Sequence, residues 1–162
     1  MGAYEIRRAR LEDADALGAL HIACWREAYL QLLSAASFKV ATPEWRATRW
    51  RRNLSGTPTS TTWIAERDGE MIGFSGAGAT VDDDKPRELE LHAIYLLARE
   101  HGSGVGQALL DTAIGDQPAC LWVAEENPRA QAFYRRNGFE PNGVRKLAPF
   151  VLDEIAELRM VR

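Results

Sequence analysis

Glu100 to Leu110 reads EHGSGVGQALL, in which Gly102, Gly104 and Gly106 run directly into an apolar, helix-like segment. Glycines this dense mark backbone that approaches a partner closely or turns through positive φ. Placed ahead of a helix, such a turn gathers free amide N–H groups at the positive end of the helix dipole, which suits an anion. Two nucleotide readings fail on the residues present. A P-loop ends its turn with Lys and then Ser or Thr, to meet phosphate and Mg²⁺, whereas Gln107 and Ala108 stand there. A dinucleotide turn runs G-x-G-x-x-G after the first strand of a βαβ unit, whereas this one is G-x-G-x-G and comes late in the chain. A glycine-rich loop with no ligand stays open at this point.

Outward from the turn, RELELHAIYLL (Arg87–Leu97) reads as the strand before it, and the helix after it runs to about Ile114. TTWIAERDGEMIGFSGAGATV (Thr61–Val81) is a hairpin signal, two alternating runs joined at Asp68-Gly69. The loop SGTPTST (Ser55–Thr61) precedes it. AYEIRRAR predicts a first strand around Ile6. Leu17, Leu20, Cys24 and Ala28 recur at helical spacing within a helix from about Leu11 to about Leu30. Thr42-Pro43 predicts a cap and first turn for a second helix through Leu54. Downstream, ACLWVAE is a short strand. NPRAQAFYRRNGF carries Asn127 as cap, Pro128 in the first turn, and Gly138 to end the helix, with Phe139 folding back. DEIAELRMVR alternates as a last strand. The order β-α-α-β-β-β-α-β-α-β-β places the chain in the α/β class with a mixed sheet.

The bulk properties narrow the function. The 162 residues fit one domain over 1–162 with a proper core. Lys plus Arg number 20 against 23 Asp plus Glu, for a net charge of −3; nucleic-acid binding is not expected of such a chain. Arg46, Arg49, Arg51 and Arg52 cluster as a solvated helix face. Cys24 and Cys120 have neither disulfide-framework nor zinc spacing, so no metal is expected. No signal peptide or membrane-length apolar run is seen, so a cytoplasmic protein without membrane contact is expected.

The stretch from about Glu88 to about Asn142 resembles the GNAT superfamily of N-acetyltransferases. The family's pyrophosphate loop, Gln/Arg-x-x-Gly-x-Gly/Ala, is matched by His101-x-x-Gly104-x-Gly106. Asn127, Tyr134 and Gly138-Phe139 match its next landmarks, and HIACWREAYLQLL is similar to the first helix of small bacterial members. His101 departs from the usual Gln or Arg, and Ala98 from a common Pro.

The resemblance implies a GNAT fold, with a mixed central sheet flanked by helices on both faces, and acetyl-CoA as cosubstrate. His101, Gly102, Ser103, Gly104, Val105, Gly106 and Gln107 would hold the pyrophosphate. The strand backbone at Ile94, Tyr95 and Leu96 would meet the pantetheine arm in the manner of an added strand. Asn127 and Tyr134 would complete that side. Tyr134 would supply a proton or hydrogen bond to the leaving thiolate; packing of its ring in the core stays open. Glu88, Glu90 and His92 alternate with apolar residues and share one strand face. Of these, Glu90 and His92 are the candidate bases, a merely solvated face being the alternative for each. Trp25 and Tyr29 share a row of the first helix with His21 and would wall an acceptor pocket, core packing of Trp25 being the alternative; PNGVRKLAPFVL (Pro141–Leu152), placed between the last two strands, would form another wall. The acceptor is a small-molecule or peptide amine. A homodimer, and a non-catalytic acyl-CoA-binding or sensing role, stay open.

Overall fold

The computed structural model describes residues 3–56 and 59–162. Alternation around Ile6 gives β1 (Glu5–Arg8), followed by one 3-10 turn at Leu11–Asp13 and then α1 (Ala14–Tyr29). Asp13 tightens that turn: its carboxylate accepts from Arg10 N at 2.7 Å and from the Arg7 guanidinium at 2.8 Å. The first helix therefore begins at Ala14 rather than Leu11. An additional short helix, α2 (Ala35–Val40), has no counterpart in the sequence reading. Ser34 caps it by accepting from Ser37 N at 3.2 Å, and six residues are too few to display a helical period. α3 (Pro43–Leu54) opens as Thr42-Pro43 predicts, with Thr42 Oγ1 accepting from Trp45 N at 3.1 Å.

The hairpin is β2 (Ser60–Arg67) and β3 (Glu70–Ala79), turning through positive φ at Asp68 and Gly69. β2 thus begins at Ser60, inside the loop expected over Ser55–Thr61, of which residues 57 and 58 lie outside the described residues. β4 (Leu89–Leu96), α4 (Val105–Ile114), β5 (Ala119–Ala124), α5 (Pro128–Arg136), β6 (Glu140–Phe150) and β7 (Asp153–Val161) follow. The seven strands form one sheet in the order β1-β2-β3-β4-β5-β7-β6. Among the described residues only the β4–β5 pair is parallel, so the sheet is mixed, as the element order implies. One expectation needs correcting. Pro141–Leu152 does not lie between the last two strands: most of it is β6, an edge strand of the sheet, because the bulge between Pro141 and Arg145 sets Gly143 outside the ladder and the edge position tolerates Pro141 and Pro149 within it.

Alternating residues divide the core into two faces. Ile64 and Phe74 pack with Leu17, Leu20 and Trp50 of α1 and α3. Ala65 and Ile72 pack with Val105 and Leu109 of α4. Leu121, Val123 and Met160 meet Leu110 and Tyr134 of α4 and α5 on that second face. Cys24 and Cys120 are free and buried. Among the described residues no helix is long and apolar enough to cross a membrane.

The packing of α1 on α3 depends on Gly18. A Cβ there would stand 2.6 Å from the Pro43 carbonyl oxygen and 2.7 Å from Ala47 N, both backbone atoms that cannot swing aside. Gly18→Ala is expected to force the helices apart and destabilise the fold by about 1–3 kcal/mol, read from the midpoint of denaturant unfolding.

Candidate active site

The sheet opens beside the glycine turn. β4 and β5 are paired only from Leu89↔Ala119 to Leu91↔Leu121, so their remaining residues diverge and the edge of β4 from His92 to Leu96 is open toward β5. This segment contains the Ile94, Tyr95 and Leu96 backbone expected to meet an extended ligand arm. On its other side, β3 pairs Gly76 with Ala93 and Ala77 with Leu91, which leaves His92 as a bulged residue. The bulge resets the alternation. Before it Leu91 faces the α4 side, while after it Ile94 and Leu96 take that side and Tyr95 packs toward α1. Strict alternation through Glu88, Glu90 and His92 thus stops at the bulge, yet Glu90 and His92 still meet, with His92 Nδ1 3.5 Å from Glu90 Oε1.

The turn has the form the glycines predict. Gly104 adopts φ +87° and caps α4 in the left-handed region. The amides of Gly102, Gly104, Gly106 and Gln107 make no hydrogen bond among the described residues, and they precede or begin a ten-residue helix. Ser103 Oγ accepts weakly from Val105 N at 3.4 Å. The Gln107 side chain is turned away to Asp111 and Asn137, at 2.8 Å each, so only its backbone can serve the cradle. His101 is not alone there. Arg129, in the first turn of α5, hydrogen-bonds His101 Nδ1. Burial and then this guanidinium hold the imidazole below its ordinary pKa, so it accepts as a neutral ring. The sequence reading passed over Arg129, although it lies two residues after Asn127. Asn127 itself is occupied as a cap, accepting from Ala130 N at 3.1 Å.

Tyr134 belongs to the core cluster that includes Leu91 of β4 and Val123 of β5; it is 7% exposed and packs against Phe133 and Phe139 at ring distances of 5.4 and 6.0 Å. Its hydroxyl makes no hydrogen bond among the described residues. Burial, and next the Tyr95 phenol, push its pKa above the ordinary value, so the proton is retained throughout the neutral range. Tyr95 belongs to the α1 face and Tyr134 to the face covered by α4 and α5.

Glu90 is buried and heavily engaged: Oε2 accepts from Thr80 Oγ1 at 3.0 Å and from Val81 N at 3.2 Å. Burial opposes its ionisation, but the donors at His92, Val81 and Thr80 prevail and keep it below the usual carboxylate range. A carboxylate so satisfied is a poor proton acceptor, and it suits orienting His92 instead.

Trp25 and Tyr29 are both buried, at 6% and 8% exposure. Trp25 packs on Phe150 at 4.5 Å and on His21 at 4.8 Å, and Tyr29 Oη lies 3.2 Å from Tyr95 Oη. They form the inner aromatic end of the α1 face. His21 is buried and neutral, its Nδ1 accepting from Arg46 Nε at 2.9 Å. Arg46 thus joins the aromatic core while its basic neighbours stay outside it. Farther along the same face the structure adds two residues that the sequence reading left out, Trp122 and Glu157. Both face the α1 side because their neighbours Leu121, Val123 and Leu158 pack on the other. Strand alternation was the available signal.

A family model described as an acetyltransferase (GNAT) domain matches residues 58–141. A Mycobacterium tuberculosis protein named probable N-acetyltransferase Rv2775 is 29% identical over 143 residues, spanning 85% of this chain and 80% of its own. A GCN5-related N-acetyltransferase from Rhodopseudomonas palustris has a TM-score of 0.74 at 20% identity, covering 100% of this chain and 96% of that one. The PaiA N-acetyltransferase of Thermoplasma acidophilum, solved in complex with coenzyme A, has a TM-score of 0.67 at 22% identity, covering 96% and 98%. At these identities the structural likenesses establish the fold.

Proposed function

The chain belongs to the acetyltransferase (GNAT) family, and from that premise we propose that residues 1–162 form one domain that transfers an acetyl group from acetyl-CoA to a primary amine by direct attack. The observation that carries this reading is the opening between β4 and β5, which the unpaired amides of the glycine turn adjoin. These residues fit the group. Amides from Gly102 to Gln107 would take the pyrophosphate, with the α4 dipole and the Arg129 guanidinium adding positive charge. The open edge of β4 at Ile94, Tyr95 and Leu96 would take the pantetheine amides. Acetyl-CoA, when bound, supplies the activated thioester. Tyr134 Oη holds a proton for the departing sulfur, and the His92 imidazole takes the proton that the attacking nitrogen loses. Glu90 acts through His92 as a positioning residue.

Release of CoA thiol across a panel of small amines and peptide N-termini tests the reading. Thiol release that requires both acetyl-CoA and an amine is expected. Tight acetyl-CoA binding with no release from any amine would mark a binding or sensing module instead. The base assignment predicts a pH signature. His92→Ala should lose most of its kcat/KM at neutral pH and regain it toward about pH 10, where the amine deprotonates unaided. Glu90→Gln should show a smaller loss with the same trend. A His92→Ala profile parallel to wild type at every pH would remove His92 as the base.

A further inference from the structure

Beyond the opening, the α1 face of the sheet carries a cation site that acetyl transfer alone does not require. Trp122 is the first residue of β5 past its ladder with β4. Its indole is fixed in place: Nε1 donates to Asp82 Oδ2 at 3.1 Å, Asp82 pairs with Arg159 at 3.1 Å, and Arg159, 4% exposed, is held by Asp84 at 2.6 Å. Against this platform lies Lys146 of β6, its Nζ 3.9 Å from the Trp122 ring and 3.7 Å from Glu157 Oε2. A ring face and a carboxylate around one ammonium make a recognition site for alkylammonium ions. Lys146 is a tethered occupant with a way out, since it stands on the edge strand and its side chain is 41% exposed.

Glu157 explains why the site suits a cation. Burial pushes this half-buried carboxyl up, Lys146 draws it back, and Glu90 adds a second negative charge nearby. Withdrawing Lys146 with no replacement would leave a partly desolvated carboxylate unpaired, whereas exchange for an incoming ammonium would not. Glu157 stands opposite Ala124, in the stretch of β5 past its ladder with β4, which places it beside the opening.

We propose that the Trp122 ring and the Glu157 carboxylate form an ammonium subsite of the acceptor, held by Lys146 until substrate arrives, and that the acceptor is an aliphatic diamine or polyamine. The step from one nitrogen to two follows from acid–base chemistry. A nitrogen held over an indole face and paired with a carboxylate is stabilised in its charged form. A nucleophile must be neutral, so the nitrogen bound here is not the one that attacks. A second nitrogen, at the opening near His92, is the one acetylated. This inference rests on the acetyltransferase reading of the opening.

Calorimetric titration of 1,5-diaminopentane and of 1-aminopentane into the full chain, without cosubstrate, reads the subsite directly. Wild type is expected to bind the diamine at least about tenfold more tightly than the monoamine. The isosteric change Glu157→Gln should bring the two amines within about threefold of each other. Lys146→Ala, with folding checked by its melting temperature, should tighten the diamine by about threefold or more, because it removes the tethered competitor. Equal affinities in wild type, a preference undiminished in Glu157→Gln, weaker diamine binding in Lys146→Ala, or no heat from the diamine up to about 10 mM would each overturn the proposal. Failure of the acetyltransferase reading is distinguishable, since it would appear in thiol release and not in this titration.

Discussion

Tyr134→Phe is expected to cut turnover by about 100-fold or more while acetyl-CoA affinity changes by less than about threefold. The asymmetry follows from how the residue is held. Its ring packs with Phe133 and Phe139 and belongs to the core cluster with Leu110, Leu121 and Met160, all of which phenylalanine preserves. Its hydroxyl contributes nothing to that packing and makes no hydrogen bond among the described residues. Removing it therefore leaves no buried partner unsatisfied, and the fold should keep its stability. What is lost is a donor whose proton burial holds in place. Because its pKa lies above the ordinary phenol value, wild-type activity should not decline from Tyr134 ionisation at or below about pH 10. Steady-state thiol release and a thermal-shift titration with acetyl-CoA measure the two quantities separately. Undiminished turnover in Tyr134→Phe would make the residue core alone and remove this proton route, with the fold unaffected.

The fold was legible because its signals are local. Thr42-Pro43, Asp68-Gly69, Asn127-Pro128 and the 102–106 glycines each act over a few residues and each specify one cap or turn. α2 escaped because its cap, Ser34, is tied to Asp153, more than a hundred residues away. The bulge at His92 escaped for a similar reason. It depends on how β3 meets β4, and period-2 reasoning cannot register an inserted residue. The candidate site divides along the same line. Gly104, Asn127 and Tyr134 fall in one stretch of the chain, where they match the landmarks of the family the sequence resembles. Glu157, Lys146 and Trp122 sit on three strands whose adjacency is a product of the β5-β7-β6 order. Nothing in the chain's local pattern brings Lys146 to Trp122, and the same holds for Arg129 and His101.

Gly104→Val is expected to abolish the thermal stabilisation by acetyl-CoA altogether, and the reason is not a clash within the protein. A Cβ at Gly104 would meet no heavy atom within 4 Å. Two other effects remain. The residue's φ of +87° is one that β-branched side chains rarely adopt, so the variant should lose about 1–2 kcal/mol of stability. The added methyl groups would also project into the open space that the turn's unpaired amides border, where a phosphate must come within hydrogen-bonding distance. Gly143 separates these effects. It has φ +84° and likewise nothing within 4 Å, but it lies in the bulge of edge strand β6. Gly143→Val should show a comparable loss of stability and yet keep the full rise in melting temperature with acetyl-CoA, which mass action ties to binding. ATP and NAD should leave wild type unshifted, because the turn lacks the Lys-Ser/Thr pair of one nucleotide loop and the spacing of the other. An acetyl-CoA shift that survives in Gly104→Val, or an equal shift with ATP, would separate the glycine turn from the pyrophosphate and return the turn to a structural role.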